Sequence, residues 1–494
     1  MRNPATNKAT RLHNNHNPHH NRSIQARQRD TNLNQLLSPA QIRDWQPFQL
    51  IDDGKTPLER TRERMRGAGQ WADWQMMGRR MAMGCVALEI TQRCNLDCNY
   101  CYLSESSEAL KDIPLEEVFR RIDQIERFYG PNTDVQVTGG DPTLRKSEEL
   151  VAIVAYIKQR GMRASLFTNG IKASRALLVE LCAVGLDDVA FHVDLTQERS
   201  GYQTEADLNV IRAEYIERAR GLPLSVLFNT TVFPGNFAQI PALVKFFIGY
   251  ADVVRLASFQ VGADTGRGTE RARVVLNAES VKQAINEGAG VALNFDAASA
   301  GHASCNGYAY GVIINGRVHD FFNDPAFVQE LLHQTAHLNF ERANKWRSVR
   351  AMAAFLLTNP RQLWGFLRRT GKTAWQVRRD LIAARGKIGK LSFFVHNFMD
   401  AEALESQRCE ACSFMVMSGD GPISMCVHNA KRDDFLLRPS TLQRANKILF
   451  FNPVSGALED RMPDPGAVAL TRKNARGRAK DALEAAPQES LMSV

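Results

Sequence analysis

The chain has 494 residues, enough for one large barrel with additions or for two to three ordinary domains. At 44% hydrophobic and 23% charged residues it has a globular composition, and it lacks both an apolar run of about eighteen residues and an apolar core near the N-terminus. The default expectation is therefore a cytoplasmic compartment. The net charge of +9 is uneven: residues 1–40 carry +5, residues 341–390 carry +11, and the remainder carries −7, an asymmetry that points to a surface with a partner.

Residues 1–40 are rich in Asn, His and Arg and poor in large apolar residues, so a disordered tail is expected. A metal on His13, His16, His19 and His20 is the weaker alternative. A short helical lead-in covers 41–83. From 84 to 300 the pattern becomes regular. Val86–Thr91 reads as a strand, followed by a cysteine loop and a helix over Leu115–Phe128. Strand Asp134–Thr138 ends in Gly139-Gly140 and leads to helix Glu148–Gln159. Strand Arg163–Thr168 ends in Asn169-Gly170 and leads to helix 174–183. Strands Asp187–Val193, Leu224–Val232 and Val253–Ser258 alternate with helices 207–219 and 237–248. Six strand–helix units with short connections predict an α/β fold, a partial (β/α)6 TIM-type barrel. Such barrels place active sites at the carboxyl ends of their strands, where the unusual residues fall.

Residues 301–450 read as a C-terminal extension. It contains a hairpin at 302–325, helices over 326–390 and mixed structure with three cysteines at 391–430. A loose tail is expected over 463–494. The nine cysteines lie at 85, 94, 98, 101, 182, 305, 409, 412 and 426. In a long chain without an export signal, clustered cysteines indicate metal or catalysis rather than disulfides. Cys182, in an apolar helical stretch, reads as a core residue.

Cys94-Asn-Leu-Asp-Cys98-Asn-Tyr-Cys101 carries the strongest signal. Three thiolates hold three irons of a cubane and leave the fourth open, as a catalytic metal requires. A structural zinc loop is the alternative, although such loops more often pair two C-x2-C units. The spacing, with Tyr100 before the last cysteine and the loop following the first strand, resembles the radical S-adenosylmethionine (SAM) superfamily. That resemblance implies a [4Fe–4S] cluster on Cys94, Cys98 and Cys101 that binds SAM and cleaves it reductively to a 5′-deoxyadenosyl radical. Gly139-Gly140-Asp141-Pro142 resembles the superfamily's GGEP motif, with Asp for Glu, and is expected at the ammonium of SAM. Thr168, Asn169, His192, Asp194 and Asn229, at or near the ends of the third, fourth and fifth strands, are candidates to touch SAM or substrate. For each, a structural hydrogen-bonding role is the alternative.

Cys409, Cys412 and Cys426, with Cys305 as fourth ligand, would complete an auxiliary [4Fe–4S] cluster with no open iron. Zinc on the same thiolates, or an incomplete site without Cys305, are the alternatives. The stretches from His396 to Asp400, Arg408-Cys409, Asp420-Gly421 and Cys426 to Asn429 are similar to the archaeal tetraether lipid synthase family. So are His302 to Cys305 with Tyr310, Gly84-Cys85, Ser258-Phe259-Gln260 and Thr265-Gly266-Arg267. The similarity covers about 84–430 and is that of a distant relative. It implies radical chemistry on a lipid or other long apolar substrate, fed by a reducing donor such as ferredoxin or flavodoxin. The family's extra cysteine-rich module before the barrel is missing here, and Cys85 stands alone in its place.

Residues 341–390 interleave thirteen Lys and Arg with Trp346, Phe355, Leu356, Leu357, Trp364, Phe366, Leu367 and Trp375. Basic amphipathic helices with Trp bind anionic membrane surfaces, which adds peripheral contact at the inner membrane face to the expectation. A core stripe with a solvated basic face is the plainer alternative. No nucleic-acid module is recognisable. Two rival functions remain open on the sequence alone, a radical SAM peptide maturase and a non-enzymatic iron–sulfur or zinc protein that binds membranes or nucleic acid.

Overall fold

The computed structural model describes residues 35–265, 276–338, 345–444, 447–464 and 468–485. The histidine-rich residues 1–34, and Gly266 and Arg267, lie outside the described residues. The barrel and its additions form one compact unit that begins at Leu36.

Helices α1 (Pro39–Asp44) and α2 (Pro57–Gly67) precede the barrel. Both open on a capping box, Ser38 with Gln41 and Thr56 with Glu59, and both have proline in the first turn, where its missing N–H costs nothing. Six strand–helix units come next: β1 (Cys85–Thr91), α3 (Leu115–Tyr129), β2 (Asp134–Gly139), α4 (Ser147–Gln159), β3 (Arg163–Thr168), α5 (Arg175–Ala183), β4 (Asp188–His192), α6 (Asn209–Ala219), β5 (Ser225–Val232), α7 (Ile240–Gly249), β6 (Val254–Val261) and α8 (Ala278–Ala289). All seven residues of β1 are buried, as expected for a parallel strand covered on both faces. In α3 the buried apolar residues Val118, Ile122 and Ile125 recur at helical spacing and pack onto the sheet.

The second half of the chain holds β7 (Asn306–Ile314), β8 (Arg317–Asp320), α9 (Pro325–Gln334), α10 (Lys345–Thr358), α11 (Pro360–Ala383), β9 (Gly389–Asn397), α12 (Ser406–Glu410), β10 (Phe414–Ser418), β11 (Gly421–Ser424), α13 (Met425–Ala430), α14 (Asp433–Leu436), β12 (Ser440–Arg444), β13 (Lys447–Phe451), β14 (Leu458–Glu459) and α15 (Gly477–Ala485). One eleven-stranded sheet runs β11-β10-β1-β2-β3-β4-β5-β6-β9-β7-β8. Strands β10, β1 to β6 and β9 are parallel, and β11, β7 and β8 are antiparallel additions. The architecture is the expected partial α/β barrel. Its sheet is not closed by strand pairing, but the side chains of β9 and β10 meet across the gap: the rings of His396 and Phe414 are 4.5 Å apart.

Three expected boundaries are corrected. Residues 301–450 are not a separate extension, because β9 and β10 extend the barrel sheet itself. An unpaired β1 or β6 edge would leave its backbone groups without partners, and the C-terminal half supplies them. Residues 36–40 are ordered: Leu36 bridges to Glu405, Leu37 N–H donates to Leu404 O, and Leu37 is buried beside Cys409 and Cys426. Two leucines beside a helix cap are enough to dock an otherwise polar stretch. Residues 468–485 are not loose either. Arg476 is buried and bonded to the cysteine loop, a contact that polar composition does not signal.

Candidate functional site

The three cysteines sit in the loop leaving β1. Cys94 N–H donates to Glu108 Oε1 at 2.7 Å, and Asn99 N–H donates to Thr196 O at 2.8 Å. The loop is thus tied to the segment after it and to the end of β4. Tyr100 adopts a left-handed backbone (φ 63°), and its ring lies 5.6 Å from that of Phe233 at a tilt of 44°. Cys94, Cys98 and Cys101 all line one cavity of about 580 Å³ inside the sheet, within the range of small-molecule sites.

Gly139 and Gly140 line the same cavity. A Cβ on Gly139 would lie 2.0 Å from Thr91 O, and one on Gly140 would lie 1.9 Å from Arg93 O. The close approach of this turn to the cysteine loop therefore demands glycine, and Gly139 also has φ 127°, a region open essentially to glycine. Tyr102 Oη donates to Gly139 O at 2.9 Å.

Asp141 and Pro142 differ from expectation, because neither lines the cavity and both are buried behind it. The Asp141 carboxylate accepts from Thr143 N–H (3.0 Å), Thr168 Oγ1 (2.8 Å) and Asn169 N–H (2.9 Å). It is a positioning residue that fixes the end of β3. Thr168 and Asn169 do line the cavity, and Asn169 Nδ2 donates to Asn95 Oδ1 at 2.6 Å and approaches Cys94 Sγ at 3.9 Å.

His192, Asn229 and Thr231 line the next sector, whereas Asp194 lies behind it, fully buried. Asp194 Oδ2 meets His192 Nε2 at 2.6 Å and accepts from Thr231 N–H at 2.6 Å. Burial alone would push His192 down, but the Asp194 carboxylate outweighs it and holds the imidazole above its ordinary value. The same contact, with the Thr196 and Thr231 donors, holds Asp194 below the usual carboxylate range against its burial.

The opposite wall is aromatic. His396 lies 4.1 Å from the Phe394 ring, 5.5 Å from Phe398 in a parallel stack, and 4.5 Å edge-on to Phe414. Burial pushes its imidazole to about 3, so it is neutral and brings no charge to this wall. Behind this wall lie Cys305 at the foot of β7, Cys409 in α12, Cys412 after it, whose thiol donates to Phe414 O at 2.8 Å, and Cys426 in α13. Cys409, Cys412 and Cys426 are buried. Burial raises Cys305 to about 11 and pushes Cys409 and Cys426 well up. Thiols in such a setting become thiolates together only with positive charge among them. Arg408 supplies part of it, its Nε donating to Cys305 Sγ at 3.4 Å.

Among the described residues, no three His, Cys, Asp or Glu side chains stand at the spacing of ligands to a single metal ion. A cubane spreads its thiolates over separate irons and asks for wider spacing. Cys94, Cys98 and Cys101 offer soft donors only, which fits an iron–sulfur cluster.

Glu108, Arg476, Glu89 and Arg432 belong to the site without a motif to announce them. Arg476 donates to Leu96 O and Glu108 Oε1, both at 2.6 Å, and pairs with Asp97 at 3.5 Å. It therefore bolts the C-terminal segment onto the cysteine loop. Glu89 in β1 pairs with Arg432 at 2.5 Å, both buried. Cys85 is a buried residue of β1 at the cavity wall, and Cys182 sits half-buried in α5.

Residues 88–247 match the family model described as the Radical SAM superfamily. The chain is 28% identical over 206 residues to the Fe-coproporphyrin III synthase of Methanosarcina barkeri, covering 41% of this chain and 49% of that one. It is 27% identical over 191 residues to the 7,8-dihydro-6-hydroxymethylpterin dimethyltransferase of Methanocaldococcus jannaschii, covering 37% of each. It is 29% identical over 164 residues to the PqqA peptide cyclase of Xanthomonas euvesicatoria, covering 32% and 42%. The chain thus spans about half the length, or less, of these curated relatives. Among solved structures, Streptococcus suis SuiB bound to S-adenosylmethionine aligns at a TM-score of 0.31 and 16% identity, over 40% of this chain and 46% of that one. None of these relatives is a tetraether lipid synthase.

Proposed function

We propose that the radical SAM domain at 88–247 makes this chain a radical SAM enzyme acting on a lipid or other long apolar substrate. A [4Fe–4S] cluster bound by Cys94, Cys98 and Cys101 would supply the electron that breaks the sulfonium C–S bond of SAM. The residues of the chain do the rest. Gly139 and Gly140 let the backbone approach the methionine end of SAM, and Asp141 keeps Thr168 and Asn169 in place beside it. His192, Asn229 and Thr231 offer polar contacts to the rest of SAM. The single observation that carries the reading is the shared cavity. The three cysteines and the glycine turn open onto the same space as the wall of Phe394, His396, Phe398 and Phe414. A wall of phenyl rings and a neutral imidazole favours apolar chains and excludes water from a reactive radical. Cys305, Cys409, Cys412 and Cys426 would hold a second, fully ligated cluster behind that wall.

The 29% identity to a PqqA peptide cyclase favours a second reading, in which the substrate is a peptide. One experiment separates the two. Protein reconstituted with iron and sulfide under anaerobic conditions and reduced is assayed for 5′-deoxyadenosine from SAM, with and without total lipid extract, beside Cys98→Ala. Product that needs Cys98 and rises with lipid supports the lipid reading. Product that needs Cys98 and ignores lipid moves the substrate to a peptide, and no product from cluster-loaded protein overturns the activity. Cys409→Ala/Cys426→Ala tests the second cluster: iron should fall from about eight to about four per chain, and an unchanged content refutes it.

A further inference from the structure

α10 and α11 carry a row of large apolar side chains toward solvent, unlike an ordinary surface helix. In α11, Trp364, Trp375 and Ile382 are 71%, 68% and 77% exposed. They are eleven and seven residues apart, which at about 100° per residue sets them within about 20° of one another along about 27 Å of helix. Leu367 is exposed beside this crest. The opposite face holds the protein: Val377 and Gln362 are buried, Arg369 donates to Phe321 O at 2.9 Å and Asn323 Oδ1 at 3.0 Å, and Asp380 pairs with Arg317 at 3.4 Å. In α10, Trp346, Val349 and Leu357 are exposed in the same way, while Phe355 and Leu356 are buried. Thr358 and Pro360 are separated only by Asn359, so the two exposed rows succeed one another in the chain.

Charge completes the pattern. Arg361, Arg368, Lys372 and Arg379 lie exposed along one flank of the α11 crest, and Arg378 on the other stacks its guanidinium 3.9 Å from the centre of the Trp375 ring. Asp380, already paired, is the only acid between 345 and 388. A nucleic-acid surface would put cations on the crest to meet phosphates. Here the crest is apolar and the cations flank it. No described helix is long and apolar enough to cross a membrane.

We propose that α10 and α11 form a docking surface for an anionic lipid bilayer, on which the helices lie flat with Trp346, Trp364, Trp375 and Ile382 inserted at the headgroup boundary and the flanking Arg and Lys against lipid phosphates. Helices of this kind bury their apolar face about 5–10 Å into the interface. The row ends at Ile382 and Ile388, the latter also exposed, beside Lys390 at the start of β9, which lines the cavity. The inference rests on the helices and not on the reading of the substrate.

The test uses the full chain with its iron–sulfur content intact. It is sedimented at low salt with vesicles of equal parts phosphatidylglycerol and phosphatidylcholine, and with vesicles of phosphatidylcholine alone. Wild type should partition onto the anionic vesicles and be released by salt. Trp364→Ser/Trp375→Ser should weaken that partitioning at least about tenfold, and Arg368→Ala/Lys372→Ala/Arg379→Ala about a hundredfold, as each cation near such a surface contributes substantially. Circular dichroism and iron content should be unchanged in both variants, because the altered side chains are exposed. SAM cleavage in lipid-free buffer should also be unchanged, which separates failure of docking from failure of the enzymatic reading. Absence of partitioning by wild type, or partitioning equal in wild type and both variants, overturns the proposal. So does tighter binding to a short DNA duplex that depends on the cations and not on the tryptophans.

Discussion

The Glu89–Arg432 pair joins β1, the strand that delivers the first cysteine loop, to the turn after α13, the helix that carries Cys426. Replacing Arg432 with Met keeps much of its volume and strands a carboxylate. Glu89 is 5% exposed and Arg432 is 0% exposed, and the ring of Tyr102 covers the guanidinium at 4.8 Å. Burial raises the Glu89 carboxyl, but Arg432, His428 and the Gln92 amide outweigh it and hold it at about 2, against an ordinary 4.5. A shift of that size corresponds to about 3 kcal/mol, and removal of one partner from a buried pair typically costs about 3–5 kcal/mol. Hydrogen exchange of backbone amides in 85–92 and 425–432 should therefore quicken by about 10²- to 10³-fold in the variant at neutral pH. A depressed carboxyl contributes its stability above about pH 4.5, and that contribution is lost as pH falls from there toward about 2. In Arg432→Met burial is opposed only by His428 and the Gln92 amide, so the Glu89 carboxyl should move up from its wild-type position and the stability it contributes should shrink. Glu89→Gln/Arg432→Met should restore much of the protection, since no charge is left buried. A loss under about tenfold in the single variant, or no recovery in the double, refutes the strut.

The same geometry sets three further outcomes. Gly140→Ala drives a Cβ to 1.9 Å from Arg93 O. Forced overpacking of about 1–3 kcal/mol should weaken SAM binding about tenfold or more by equilibrium dialysis, and a change under twofold contradicts the close approach. Asp194→Asn removes the charge that lifts His192, so its titration by NMR should drop below 6.5. In the wild type the raised His192 stabilises the fold fully below about pH 6.5 and loses that contribution as pH climbs through the folded value, while Asp194 loses its own as pH falls below about 3.8. An unmoved His192 would rule out the pair. Arg476→Met removes the guanidinium that ties the C-terminal segment to Leu96, Asp97 and Glu108, and iron should leave to a chelator at least about tenfold faster, since hydrogen bonds to a charged group of about 1.5–3 kcal/mol are lost. An unchanged rate would mean that the cysteine loop holds without its bolt.

The division between what the sequence discloses and what it hides has a physical basis. Local signals suffice for β1 to β6 and for α3 to α7, because each unit has its own apolar period and its own cap or glycine turn. They suffice for the cysteine trio too, because the spacing within one loop is itself the geometry. Glycine at 139 and 140 is legible for the same reason, since a Cβ within about 2 Å of a carbonyl oxygen leaves no other residue. What is hidden is long-range. Asp141 reads as a ligand by motif, yet three donors from residues 143, 168 and 169 occupy its carboxylate, and only the fold shows them. Leu36, Leu37 and Arg476 sit in polar, low-complexity surroundings, and each is ordered by partners hundreds of residues away. The C-terminal half looks like an appendix because its strands are far apart in the chain and its cysteines scattered, although β9 and β10 pair with β6 and β1, whose backbone groups would otherwise be unpaired. The same integration brings His396 and Phe414, from opposite ends of the sheet, to within 4.5 Å. The wall that faces the three cysteines is therefore built only when the two halves fold together. Truncation before β9 should then leave no stable barrel, and purification of 36–300 as a folded, cluster-binding monomer would show that this edge pairing is dispensable.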